Sequence, residues 1–173
     1  MEQWFEELAK KIEQDGGCRE IHRFDSKGDI ELYLKRYYIS KTPNEEAMLH
    51  QFFKSDVGDL HDHPWDSHSI ILKTGYYEWL ESEREQYKLF REPGHFGGRL
   101  ATDFHKIELV PGTEGNVWTL FTTGKRIRKW GYKVNEKWVP FDKYHEMKGI
   151  AAVQVLPTHY TDGLFPKKIF KKS

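Results

Sequence analysis

Between Ile21 and Thr123 glycine and proline punctuate the chain at short intervals, and most segments between these stops alternate like strands. Ile30, Leu32 and Leu34 alternate with Glu31, Tyr33 and Lys35, and Tyr37-Tyr38-Ile39 follows before a turn at Thr42-Pro43-Asn44. Ser69 to Leu80 is rich in Ile, Leu, Tyr and Trp around Gly75, and Asn116 to Thr123 has the same character between Gly115 and Gly124. Both are expected core strands. Glu45 to Phe53 suits a helical turn or a strand, and is read as a strand. Glu92-Pro93-Gly94 and Phe96-Gly97-Gly98 are turn material and a candidate mobile lip. Only the start reads as a helix: Trp4, Phe5, Leu8, Lys11 and Ile12 fall at spacings of three and four and Gly16-Gly17 closes the segment. Dense strands, turns and no internal repeat predict an all-β barrel or sandwich. One domain is expected, with a helix over 1–17 lying across the barrel, the barrel over about 20–156, and a tail over 157–173. The tail carries Lys167, Lys168, Lys171 and Lys172 and is expected to fray or lie on the surface.

Composition narrows the partners. None of the 173 residues belongs to an apolar run approaching the ~20 that span a bilayer, so no membrane partner is expected. Lys plus Arg number 27 and Asp plus Glu also 27, which leaves no overall field to hold a nucleic acid. A small molecule is the expected partner. The acidic, amphipathic start has no leader character, and a single cysteine, Cys18, cannot pair within the chain. Both features point to the cytoplasm.

Nine histidines are many for this length, and position must separate ligands from ordinary core or surface residues. His61 and His63 are one residue apart, so on a strand their rings project from one face and converge on one ion. His105 shares a strand face with Ile107 and Leu109, as an inward ligand would. Any one of the three alone reads as an ordinary histidine; together, in a β-rich setting, they read as a metal site. Three imidazoles suit Fe, Zn, Cu or Ni, exclude Ca and disfavour Mg. Three protein ligands also leave positions open, as catalytic sites do. Asp62 should point away from the metal, and Asp66 is a candidate to orient a ligand histidine. Arg126 and Arg128, two apart, and Arg99 are candidate clamps for an anionic substrate; a solvated basic strand end with Lys125 and Lys129 is the plainer reading of the first two. Trp65, Tyr77, Trp79, Trp118 and Trp130 suit a pocket wall or the core equally.

The run Gly58-Asp59-Leu60-His61-Asp62-His63-Pro64-Trp65-Asp66-Ser67-His68, followed by Gly75, resembles the first motif of the cupin superfamily. In that motif glycine and five residues precede His-x-His, and a glutamate and a second glycine follow. His61, His63 and Gly75 fit the spacing, His68 stands in the glutamate's place and Ser55 in that of the leading glycine. In the second motif Gly94 and His105 match, while Leu100, Thr102 and Leu109 replace Pro, Gly and Asn. The resemblance covers residues 58 to about 124. It implies a cupin-type double-stranded β-helix, or jelly-roll barrel, that holds one divalent transition metal through His61, His63 and His105. It also allows a homodimer, since cupins commonly pair through their sheets.

Within cupins, His61-Asp62-His63, Ser67-His68 and Phe104 to Glu108 resemble thiol dioxygenases, whose iron is held by three histidines without a carboxylate. That resemblance makes Fe(II) the expected metal, with Zn, Ni and Mn as alternatives. The implied activity is a non-heme dioxygenase or hydroxylase acting on a small anionic metabolite. Phe121 and Thr122 lie near the family's outer His and Tyr positions, which argues against cysteine as substrate. His-Asp-His-Pro-Trp with Arg128-Lys129-Trp130-Gly131-Tyr132 is also similar to small cupin-like proteins of unassigned activity. Two competing implications are a cupin isomerase or epimerase of a carbohydrate or sugar phosphate, and a noncatalytic cupin that binds a small ligand. His68 is the catalytic candidate, as fourth ligand or as a proton carrier, expected to face inward with Ile70 and Leu72.

Overall fold

The computed structural model describes residues 1, 3–25, 27–148 and 154–157. The chain runs α1 (Trp4–Gln14), β1 (Cys18–Phe24), β2 (Ile30–Lys41), β3 (Glu46–Phe52), β4 (Ser67–Lys73), β5 (Tyr76–Glu81) and β6 (Gln86–Arg91). It continues through β7 (Phe96–Arg99), β8 (Lys106–Glu108), β9 (Val117–Thr123), β10 (Gly131–Val134), β11 (Lys137–Pro140), α2 (Phe141–Lys148) and β12 (Gln154–Pro157). One antiparallel sheet has the order β12-β1-β2-β3-β9-β4-β7, a second β6-β5-β8, and β10-β11 form a hairpin. The order β3-β9-β4 means that the chain leaves the large sheet, builds the small one, and returns to fill the gap, as a jelly roll requires. The result is an antiparallel two-sheet barrel with the first helix outside it, as the strand-rich reading of the sequence expects.

Side-chain alternation gives the large sheet two apolar faces. Its inner face packs Ile21, Leu34, Phe52, Ile71 and Val117 against Tyr76 from the small sheet and Ile107 and Leu109 around β8. Its outer face packs Cys18, Tyr37, Leu49 and Trp118 under Phe5 and Ala9 of α1. Glu6 accepts the Gln3 N–H at 3.1 Å at the helix start and pairs with Lys73 of β4 at 2.7 Å, so the helix is also pinned by charge. Trp4, expected on the buried stripe, is 56% exposed.

Three local expectations change. Ser69 to Leu80 divides into β4 and β5, which belong to different sheets. The chain crosses between them at Thr74 and Gly75, with φ of 72° and 90°, and a Cβ on Gly75 would collide with the Arg91 carbonyl oxygen. Only glycine fits there. Phe96-Gly97-Gly98 is not a lip but part of edge strand β7, paired with β4 through His68↔Gly98 and Ser69↔Gly97. Helix α2 was not anticipated; Tyr144 stacks on Tyr132 at 3.8 Å and its hydroxyl donates to Asp59 at 2.9 Å. The expected tail over 157–173 starts at Pro157, which ends β12, and its residues 158–173 lie outside the described residues.

Candidate metal centre

Residues 60–63 run as a thin ribbon between two other segments. His61 and His105 exchange both backbone hydrogen bonds at 2.9 Å, and the His63 N–H reaches the Ala101 carbonyl at 3.1 Å. On the other side Asp62 N–H donates to the Gly131 carbonyl at 3.0 Å, and Lys133 N–H to that of Leu60 at 2.8 Å. Directly paired antiparallel residues project to the same face, so His105 joins His61 and His63, while Leu60 and Asp62 turn away, each 1% exposed. The rings form a near-equilateral triangle with centroids 5.2, 5.0 and 4.9 Å apart. One donor atom from each lies within 4.8 Å of the others.

The surroundings hold this triangle. Glu78 on β5, 3% exposed, accepts from His105 Nδ1 at 2.9 Å, from Arg91 Nε at 2.8 Å and from Arg99. With Nδ1 engaged, Nε2 is His105's free nitrogen. Asp56 accepts the Tyr33 hydroxyl and the Ile107 N–H, and its Oδ2 lies 3.9 Å from His61 Nε2. Burial pushes the His61 imidazole below its ordinary pKa. It pushes His63 further down, helped by His105, and His105 further down, helped by the Arg99 guanidinium. Neutral imidazoles are the ligating form. His63 Nδ1 is buried without a hydrogen-bond partner among the described residues. A convergent neutral set with an orphaned nitrogen and a carboxylate-fixed ring fits a transition-metal ion.

The triangle opens on a cavity of about 490 Å³ between the two sheets. Trp65 and Trp130 line it. Trp118 packs under α1, and Trp79 and Tyr77 point to the other face of β5, toward Glu108 and Phe90. Arg99 lines the cavity, but Glu78 already binds it. Arg126 is exposed at the cavity's edge. Arg128 does not face an anion with Arg126: its guanidinium binds Asp62 and the Ala101 carbonyl and lies over the Trp138 ring. Asp66 is exposed and acts indirectly, accepting the Ala101 N–H at 2.7 Å from the residue whose carbonyl holds His63.

His68 takes the other face from the one expected. β4 begins at Ser67, so Ser67, Ser69 and Ile71 face the barrel interior and His68 faces out, stacked on Phe96 at 5.7 Å. His68→Ala is therefore expected to leave both bound metal and thermal midpoint unchanged. Elemental analysis and a melting curve check this, and loss of metal would return His68 to the ligand set.

No family model matches the chain, and no curated protein does. Among solved structures it is similar to hydroxypropylphosphonic acid epoxidase from S. wedmorenis, with 11% identity, TM-score 0.43 and 53% of this chain covered. The chain spans about half of that protein, 50% of its length. A cupin superfamily protein from Desulfitobacterium hafniense DCB-2 is 14% identical at TM-score 0.42, over 53% of this chain and 77% of that one. KdgF from Halomonas sp. is 20% identical at TM-score 0.39, over 54% and 80%. Likenesses this distant leave the chemistry to be argued from the chain's own residues.

Proposed function

We propose that the protein is a metal-dependent enzyme, a non-heme Fe(II) dioxygenase or hydroxylase acting on a small anionic metabolite. The observation that carries this reading is the convergence of three neutral imidazoles, donor atoms within 4.8 Å, on the wall of a cavity of about 490 Å³. His61, His63 and His105 would hold the ion and leave part of its shell to ligands from the cavity. Bound Fe(II) supplies the redox change and sites where substrate and dioxygen meet. The chain's contribution is position and environment. Glu78 holds the His105 ring, the ribbon pairing holds His61 against His105, and Phe52, Trp65, Tyr76 and Phe121 give the cavity apolar walls that limit water.

The carboxylates Asp56, Asp62 and Glu78 each accept at least two hydrogen bonds from the protein and hold the frame of the site. No helix among the described residues is long and apolar enough to cross a membrane.

The deciding experiment measures metal in protein purified without added metal, then oxygen uptake by Fe(II)-loaded and Zn(II)-loaded protein with small carboxylates and phosphate esters. Oxygen consumption by the iron form alone is expected. Equal turnover without oxygen, or with zinc, would overturn the oxygenase reading.

A further inference from the structure

Arg36 on β2 pairs across the ladder with His50 on β3, and His50 pairs with Thr119 on β9. Neighbouring strands lie ~4.8 Å apart, so these three side chains form one row across the large sheet, and all three line the cavity. Each carries a buried polar atom without a hydrogen-bond partner among the described residues: Arg36 Nε, His50 Nε2 and Thr119 Oγ1. His50 is 4% exposed and Thr119 1%, so water outside the barrel does not satisfy them. Trp65 Nε1, another cavity-lining group, is orphaned in the same way. Orphaned buried polar atoms are costly, and a cluster of them on one cavity wall marks where something else supplies the partners.

The cavity's charges say what that is. Arg23 is paired with Glu31, Arg99 with Glu78, and Arg126 sits exposed at the edge; Arg36 forms no ion pair among the described residues. Beside it stand a hydroxyl and an imidazole stacked on Phe121 at 4.7 Å, with no carboxylate in the row. A guanidinium, a hydroxyl and an indole N–H are donors, and together they match an acceptor-only group.

We propose that Arg36, His50 and Thr119 form the subsite for a carboxylate of the substrate, so that the enzyme acts on a small organic acid. The Arg36 guanidinium takes the carboxylate, the Thr119 hydroxyl and His50 ring donate beside it, and the rest of the molecule reaches toward the histidine triangle. This deepens the proposed function and rests on it for the word substrate; the carboxylate subsite itself does not depend on the metal.

The test is calorimetric titration of the full chain with propionate and benzoate, each against its neutral amide of the same shape. At least one acid should bind about tenfold or more tightly than its amide. Arg36→Gln should erase that preference while metal content stays at the wild-type level. Thr119→Val, which keeps the side-chain shape, should reduce the preference severalfold and decides the matter if Arg36→Gln does not fold. Equal binding of acid and amide overturns the subsite, as does a preference that survives these changes or is lost instead in Arg126→Gln. Metal retention with no acid preference sinks the subsite alone. Acid preference in a protein that never retains a metal sinks the metal enzyme alone.

Discussion

Replacing His61, His63 or His105 by alanine, one at a time, is expected to leave a folded barrel that no longer retains its metal. Among the described residues no other His, Cys, Asp or Glu belongs to the convergent group. Asp56 is engaged by Tyr33 and the Ile107 N–H, Glu78 is held by Arg91 and Arg99, and His68 points away. Affinity should fall by more than the ~10- to 100-fold that follows from altering an outer partner such as Glu78. The fold should survive because the rings project into the cavity and belong to neither apolar cluster of the barrel. Removing His63 also removes an orphaned buried nitrogen, so the metal-free variant gives up little. Elemental analysis beside far-UV circular dichroism checks both halves. Full occupancy in any one variant would take that residue out of the ligand set.

Asp62→Ala is expected to cost the most stability, roughly 3–5 kcal/mol, because it strands the partners of a buried carboxylate. Asp62 is 1% exposed. It accepts from the Gly131 N–H at 2.7 Å, the Trp138 indole at 2.9 Å and the Arg128 guanidinium. These contacts tie hairpin β10-β11 to the back of the ribbon that carries His61 and His63, so the same change should loosen metal binding. For a chain of this size the loss lowers the thermal midpoint by about 10 °C. Asp62→Asn keeps the shape and part of the hydrogen bonding and should cost less. Urea and thermal denaturation decide it; a loss below about 1 kcal/mol would show that Asp62 is not the anchor described.

The position of Asp62 illustrates what periodicity can tell. Its placement opposite the two histidines follows from alternation along five residues, as does the shared face of His105, Ile107 and Leu109. The β-rich reading of 30–39 and 116–123, and the helix at the start, followed in the same way from local spacing, whereas 45–53, where spacing left helix and strand open, is strand β3. His68 shows the limit. Alternation places it opposite its immediate neighbours, but the frame is set by the paired strand, and a one-residue difference in frame moves a side chain from the cavity to solvent. Arg128 shows another: a cation two residues from Arg126 suggested a joint clamp, but a buried carboxylate far upstream had already taken it.

By itself the sequence determined the strand-rich class, the helix at the start and the same-face histidine pair, because each depends on residues within a few positions of one another. Only the tertiary structure decided that Glu78 orients His105, that Asp62 anchors Arg128 and Trp138, and that Arg36, His50 and Thr119 form one row. Those neighbours come from strands far apart in the chain, and the ladder registers that bring them together are settled by how the whole barrel packs its core, a long-range outcome that no local spacing encodes.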